Sequence, residues 1–142
     1  MTDIKKAYKL AEKLHSGYRD RGGSPYFNHI KRVFKGVGGF NAKPESLGIV
    51  ALLHDIVEDT KINIREIEKV FGKEVSLAVK AITKKPSASY KSYLSNVKSN
   101  RLAKIVKIAD LKDNINLKRI SNPNEDDYAR TEIYKKALDY LS

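Results

Sequence analysis

Two histidines and a handful of carboxylates carry most of the chemistry this sequence can do. Leu52 to Thr60 reads LLHDIVEDT, so His54, Asp55, Glu58 and Asp59 close the most apolar stretch of the chain. PYFNH contributes His29. VKIADLKDN contributes Asp110, with Asn114 one helical turn later and Lys107 nearly one turn earlier. The 142 residues include no cysteine and only three histidines, so any metal must be held by His, Asp and Glu. His29, His54, Asp55 and Asp110 form a two-histidine, two-carboxylate set drawn from three helices, suited to one divalent ion with open positions for water.

The element carrying LLHDIVEDT is expected to be a helix from Pro44 to about Asp59. Leu47, Ile49, Val50, Leu52, Leu53, Ile56 and Val57 point in every direction around it, which marks a central core helix. His54 and Glu58 are four positions apart, as are Asp55 and Asp59, so an unbroken helix gathers all four on one arc of its last turn. Three carboxylates at a helix C-terminus oppose the macrodipole, and each charge taken out of water costs on the order of several kcal/mol unless compensated. Either this turn emerges into solvent with ordinary charges, or a bound cation compensates them.

Periodicity is helical nearly throughout, with no convincing strand and no internal repeat, which predicts an all-α fold. A first helix spans about Asp3 to His15, capped by Thr2, with Ile4, Ala7, Tyr8, Ala11 and Leu14 as its apolar stripe. A basic, glycine-rich loop, SGYRDRGGSP, leads to a second helix, with Pro25 in its first turn and the glycines of GVGGF at its end. Asn63 caps a short helix ending at Gly72, and KEVSLAVKAIT follows as another. Beyond the KKPSAS loop come YKSYLSNVK, the long helix RLAKIVKIADLKDNINL, and a final amphipathic helix with acidic residues at its start. Ile105, Val106, Ile108, Ala109 and Leu111 bury the face around Asp110.

The length bounds the chain to a single domain, residues 1–142. With no run of eighteen or more apolar residues and a polar, helix-like N-terminus, the expected location is cytoplasmic, with no membrane partner. The net charge of +11 is uneven: +9 falls in residues 80–119, +4 in residues 1–79 and −2 in residues 120–142. An anionic partner follows, and the simpler alternative is a solvated basic surface.

In order, HSGYRDRGGSPYFNH, ALLHDIVEDT, FGKEV, ITK and VKIADLKDN resemble the HD-domain metal-dependent phosphohydrolases, and among them the RelA/SpoT-type (p)ppGpp hydrolase domains and small alarmone hydrolases. The likeness runs from about Ile4 to Arg119. It implies a single HD-type helical bundle in which His29, His54, Asp55 and Asp110 hold one metal, commonly Mn²⁺. It also implies that Glu58 and Asp59 position and activate the attacking water and that Asn114 helps order the substrate. The implied reaction is hydrolysis of the 3′-pyrophosphate of a nucleotide substrate, (p)ppGpp, to GDP or GTP and pyrophosphate. No synthetase-like region accompanies the blocks, so degradation and not synthesis is expected.

The chain departs from the resembled pattern at two places. Asp20 stands at the position of the loop arginine, flanked by Arg19 and Arg21, and the usual DRLHN is DLKDN, with Lys112 and Asp113 in place of a leucine and a histidine. Two or three of Arg19, Arg21, Arg101, Lys104 and Lys107 are expected to face substrate phosphates, because a nucleotide with two pyrophosphates needs several cations. His15 is expected to be structural, and Tyr18 and Tyr26 to pack. Other HD-type activities on NADPH or a nucleoside monophosphate remain an alternative, as does a silent binding module. Nucleic acid is disfavoured because the basic residues come without a recognition motif.

Overall fold

Leu47 through Leu53 are all buried, so the helix they form has no face left for solvent and the remaining helices enclose it. The computed structural model describes residues 1–142. Its α-helices are α1 (Asp3–Leu14), α2 (Phe27–Gly36), α3 (Glu45–Leu53), α4 (Ile56–Asp59), α5 (Ile64–Phe71), α6 (Lys73–Ile82), α7 (Tyr90–Ser99), α8 (Arg101–Asn114) and α9 (Glu125–Leu141). Short 3₁₀ turns lie at Gly39–Asn41 and Leu117–Arg119. The architecture is all-α. Its only β feature is an isolated antiparallel bridge between Arg19 and Pro25 at the neck of the glycine-rich loop.

Helix α3 packs against α1, α2, α6 and α8, and α8 also meets α7 and α9. Gly48 lets α1 and the 3₁₀ turn at Gly39–Asn41 pack tightly on α3, since a Cβ there would stand 2.9 Å from Ile4 Cδ1 and 3.1 Å from the Gly39 carbonyl oxygen. Side-chain caps fix where helices begin. Thr2 accepts from the Lys5 amide, Asn63 and Glu66 form a capping box at α5, and Asn124 and Asp127 form another at α9.

The expected helix over Pro44–Asp59 is in fact two. Helix α3 stops at Leu53, and Asp55, at φ −105° and ψ 0°, precedes a fresh turn from Ile56. The cause is local competition for a carbonyl: His54 Nδ1 donates to the Ala51 carbonyl at 2.6 Å, the acceptor that a continuous helix would offer to the Asp55 amide. His54, Asp55, Glu58 and Asp59 therefore do not share one arc. Glu58 and Asp59 belong to the single turn of α4 rather than to the C-terminus of a long helix, so no long-helix macrodipole is set against them.

Helix α8 likewise ends at Asn114 rather than at Leu117. The Asn116 side chain accepts from the Lys118 amide and starts the 3₁₀ turn that redirects the chain. That turn carries Arg119 back toward α2. No helix is long and apolar enough to cross a membrane.

Candidate metal centre

Two helix ends and the interior of a third helix meet at one buried point. His29 comes from the first turn of α2, His54 and Asp55 from the break after α3, and Asp110 from the interior of α8. One donor atom from each lies within 4.8 Å of all the others. His29 Nε2 is 2.9 Å from Asp110 Oδ1 and 3.9 Å from Asp55 Oδ2, and His54 Nε2 is 3.2 Å from Asp55 Oδ2 and 3.3 Å from Asp110 Oδ1. Ligands about 2.1 Å from an ion stand about 3.0 Å apart at right angles and about 4.2 Å apart when opposite, so this set suits one ion.

The neighbours aim these atoms inward. With Nδ1 of His54 given to Ala51, Nε2 is buried without a hydrogen-bond partner, a costly state that a bound cation removes. His29 Nδ1 donates to Asp113 Oδ2 at 2.6 Å, which turns Nε2 toward the cluster. Tyr26 donates its hydroxyl to Asp55 Oδ2, and its ring sits between those of His15 and His29. Lys107 donates to Asp110 Oδ2 at 2.9 Å, and Asn114 donates to Asp110 Oδ1 at 3.2 Å.

The electrostatics favour a cation. Burial works against charge on both histidines, yet the hydrogen bonds of Asp110 and Asp113 raise the pKa of His29, and Asp55 and Asp110 raise that of His54 well above the ordinary value. Burial would raise Asp55 too, but His54 holds it at about 2, and Lys107 with the two histidines holds Asp110 well below the usual carboxylate range. Asp113 is also held at about 2, by His29 and Arg32 against its own desolvation.

Glu58 and Asp59 lie at the exposed rim. Glu58 Oε1 accepts from the Lys84 amide at 2.8 Å. Crowding around its carboxyl, followed by the charge of Asp55, raises its pKa against the pull of that amide. Asp59 takes a different neighbourhood: its carbonyl accepts from the Tyr18 hydroxyl, and its carboxylate is 3.5 Å from Nε2 of the buried His15.

A cleft of about 410 Å³ lies beside the centre; of the four converging residues only His29 lines it, next to Tyr26 and Asn114, and neither Glu58 nor Asp59 is among its walls. Arg19, Arg21, Arg32, Arg119 and Arg130 line its walls. Of the cations expected from sequence, Arg19 and Arg21 are there, whereas Arg101 and Lys104 are not among its walls and Lys107 is engaged with Asp110. Arg32, Arg119 and Arg130 were not foreseen, because only the fold brings α2, the 3₁₀ turn and α9 to one place. Arg21 forks onto Asp127 at 3.1 and 3.2 Å and ties the loop to α9, while Asp20 is spent inside the loop, accepting from the Ser24 amide at 2.9 Å.

Gly22 allows this loop to rest on the 3₁₀ turn, since a Cβ there would clash with the Arg119 carbonyl oxygen. Gly22→Ala should destabilise the fold by about 1–3 kcal/mol, the scale of an overpacked contact, as read by chemical denaturation. An unchanged midpoint would mean that the loop is free to lift.

The profile of the HD domain matches residues 7–136. The chain belongs to the HD-domain family. This HD domain is 32% identical over 129 residues to the Drosophila melanogaster guanosine-3′,5′-bis(diphosphate) 3′-pyrophosphohydrolase MESH1, covering 83% of the chain and 72% of the fly protein. It is 33% identical over 127 residues to the Spiroplasma citri protein named guanosine-3′,5′-bis(diphosphate) 3′-pyrophosphohydrolase, covering 81% of the chain and 17% of that protein. The HD domain spans only 10% to 17% of the length of the first curated relatives it matches. A solved structure of a metazoan ortholog of SpoT, described as hydrolyzing ppGpp, superposes with a TM-score of 0.81 at 23% identity, over 99% of this chain and 86% of that one. The shared fold is thus the HD-domain bundle.

Proposed function

We propose that this HD domain is a Mn²⁺-dependent hydrolase that removes the 3′-pyrophosphate of ppGpp or pppGpp, yielding GDP or GTP and pyrophosphate. The observation that carries the reading is a four-residue cluster of metal-donor atoms that shares His29 with an arginine-lined cleft, on a chain that covers most of a relative named for this reaction.

His29, His54, Asp55 and Asp110 hold the ion, which when bound polarises a phosphoryl oxygen and neutralises charge developing on it. Lys107 and Asn114 keep Asp110 turned toward it. Glu58 accepts the proton of the attacking water; its raised pKa brings it nearer the working pH, where a general base is most effective. Asp59, whose backbone carbonyl accepts from the Tyr18 hydroxyl, orients that water from the rim. Asn114 and the N–H groups that the cleft arginines leave unpaired, those of Arg19 and Arg21 among them, take the remaining phosphates.

A panel of ppGpp, pppGpp, NADPH, a deoxynucleoside monophosphate and a cyclic dinucleotide, each with Mn²⁺, tests the substrate. Pyrophosphate release from ppGpp should lead. Orthophosphate from NADPH with no attack on ppGpp would replace this reading with a different HD-type phosphatase, and duplex DNA binding without any turnover would replace it with a silent module.

A further inference from the structure

We infer that Asp113 is a positioning residue for the metal centre: it fixes the ring of His29 by accepting its Nδ1–H, and Arg32 and Arg119 clamp its carboxylate in the position that this requires. The inference rests on the metal reading above, and it concerns the residue that stands where the resembled pattern has a histidine.

Asp113 takes donors from three side chains. His29 Nδ1 lies 2.6 Å from Oδ2, Arg32 Nε 2.7 Å from Oδ1, Arg32 Nη2 3.2 Å from Oδ2, and Arg119 Nη2 3.2 Å from Oδ1. Arg119 Nη2 also donates to the Asp113 carbonyl at 2.7 Å, which locks the residue at the end of α8. The carboxylate is therefore held from both sides and has one direction left, toward His29. His29 itself is buried, so its ring nitrogens have few other partners from which to choose.

The consequence is chemical as well as structural. A carboxylate on Nδ1–H selects the tautomer whose Nε2 carries the lone pair and makes that nitrogen a better donor to a metal. It also ties α2 to α8, the helices that carry His29 and Asp110. A histidine at this position would lack the fixed negative charge. Arg32 and Arg119 extend the device to the cleft, because both also line its wall.

A plain helix staple would affect stability alone, so the test reads metal affinity. Mn²⁺ titration followed by electron paramagnetic resonance of the free ion should give a dissociation constant about 10–100-fold weaker for Asp113→Ala than for the native chain, the usual effect of losing such a partner. Asp113→Asn, which keeps an acceptor for Nδ1–H but no charge, should fall between them. Native affinity in both variants would overturn the inference and leave the metal reading intact; a native chain that binds no divalent ion would overturn both. Should neither variant fold, ¹⁵N resonances of the native, Zn²⁺-loaded protein give the answer. A protonated Nδ1 on His29 is expected, and a bare Nδ1 would refute the role.

Discussion

Glu58→Gln should turn over its nucleotide substrate at least about a hundredfold more slowly than the native chain, with Mn²⁺ content and thermal midpoint nearly unchanged. Glutamine keeps the size of the side chain and an oxygen for the Lys84 amide, now 2.8 Å from Oε1, so the rim of the site keeps its shape. What disappears is a carboxylate able to take a proton. Glu58 is not among the four residues whose donor atoms converge, so the ligand set is untouched. A solvated, merely structural glutamate at the start of α4 predicts almost no change in rate. Measuring rate, metal content and midpoint on one preparation separates the two outcomes, and a fully active variant would exclude Glu58 as the base.

The second large effect is on the metal. Asp55→Ala should weaken Mn²⁺ binding by more than about a hundredfold, beyond the 10–100-fold scale of losing an outer partner, because a direct donor is removed from a set of four. It also strands the Tyr26 hydroxyl, which donates to Asp55. Elemental analysis should fall from about one ion per native chain to a small fraction of that. Protons compete at the same atoms: His29 and His54 hold theirs more tightly than an ordinary imidazole, and binding must expel them. Mn²⁺ affinity of the native chain should therefore rise with pH throughout the range below the raised pKa values, the region around pH 6.5 included, and level off above them. Metal-free stability should run the other way. A histidine whose folded pKa is raised contributes stability below its unfolded pKa and loses it as pH rises through the folded one, so the midpoint in chelator should fall over the same range. Affinity independent of pH between about 6 and 8 would contradict the assignment of the two histidines.

The four residues whose donor atoms converge were legible because their types are scarce. In a chain with three histidines and no cysteine, His29 and His54 leave few ways to build a site, and Asp110 stands out as a carboxylate among apolar neighbours. Helix starts were legible where a side chain caps them, at Thr2 and Asn63. The break at His54 was not, because helical periodicity records which face is apolar and is blind to a ring nitrogen taking the Ala51 carbonyl from the backbone. It matters to the site, since the break sends His54 and Asp55 to the buried centre while Glu58 and Asp59 stay at the rim. Charge density misled in a similar way. Residues 80–119 hold most of the excess positive charge, yet the cleft draws Arg19, Arg21, Arg32 and Arg130 from outside that block. Those arginines are scattered along the chain and meet only through the docking of α2, α8 and α9.

The proposed reaction cleaves the bond between the ribose 3′-oxygen and the adjacent phosphorus. The direct measurement is to incubate the Mn²⁺-loaded protein with ppGpp in ¹⁸O-labelled water and resolve the products by ³¹P resonance and mass spectrometry. GDP with an unlabelled 3′-hydroxyl, together with pyrophosphate carrying one ¹⁸O, is the predicted result. Labelled orthophosphate with a nucleotide that retains a 3′-phosphate, or intact ppGpp, would contradict it.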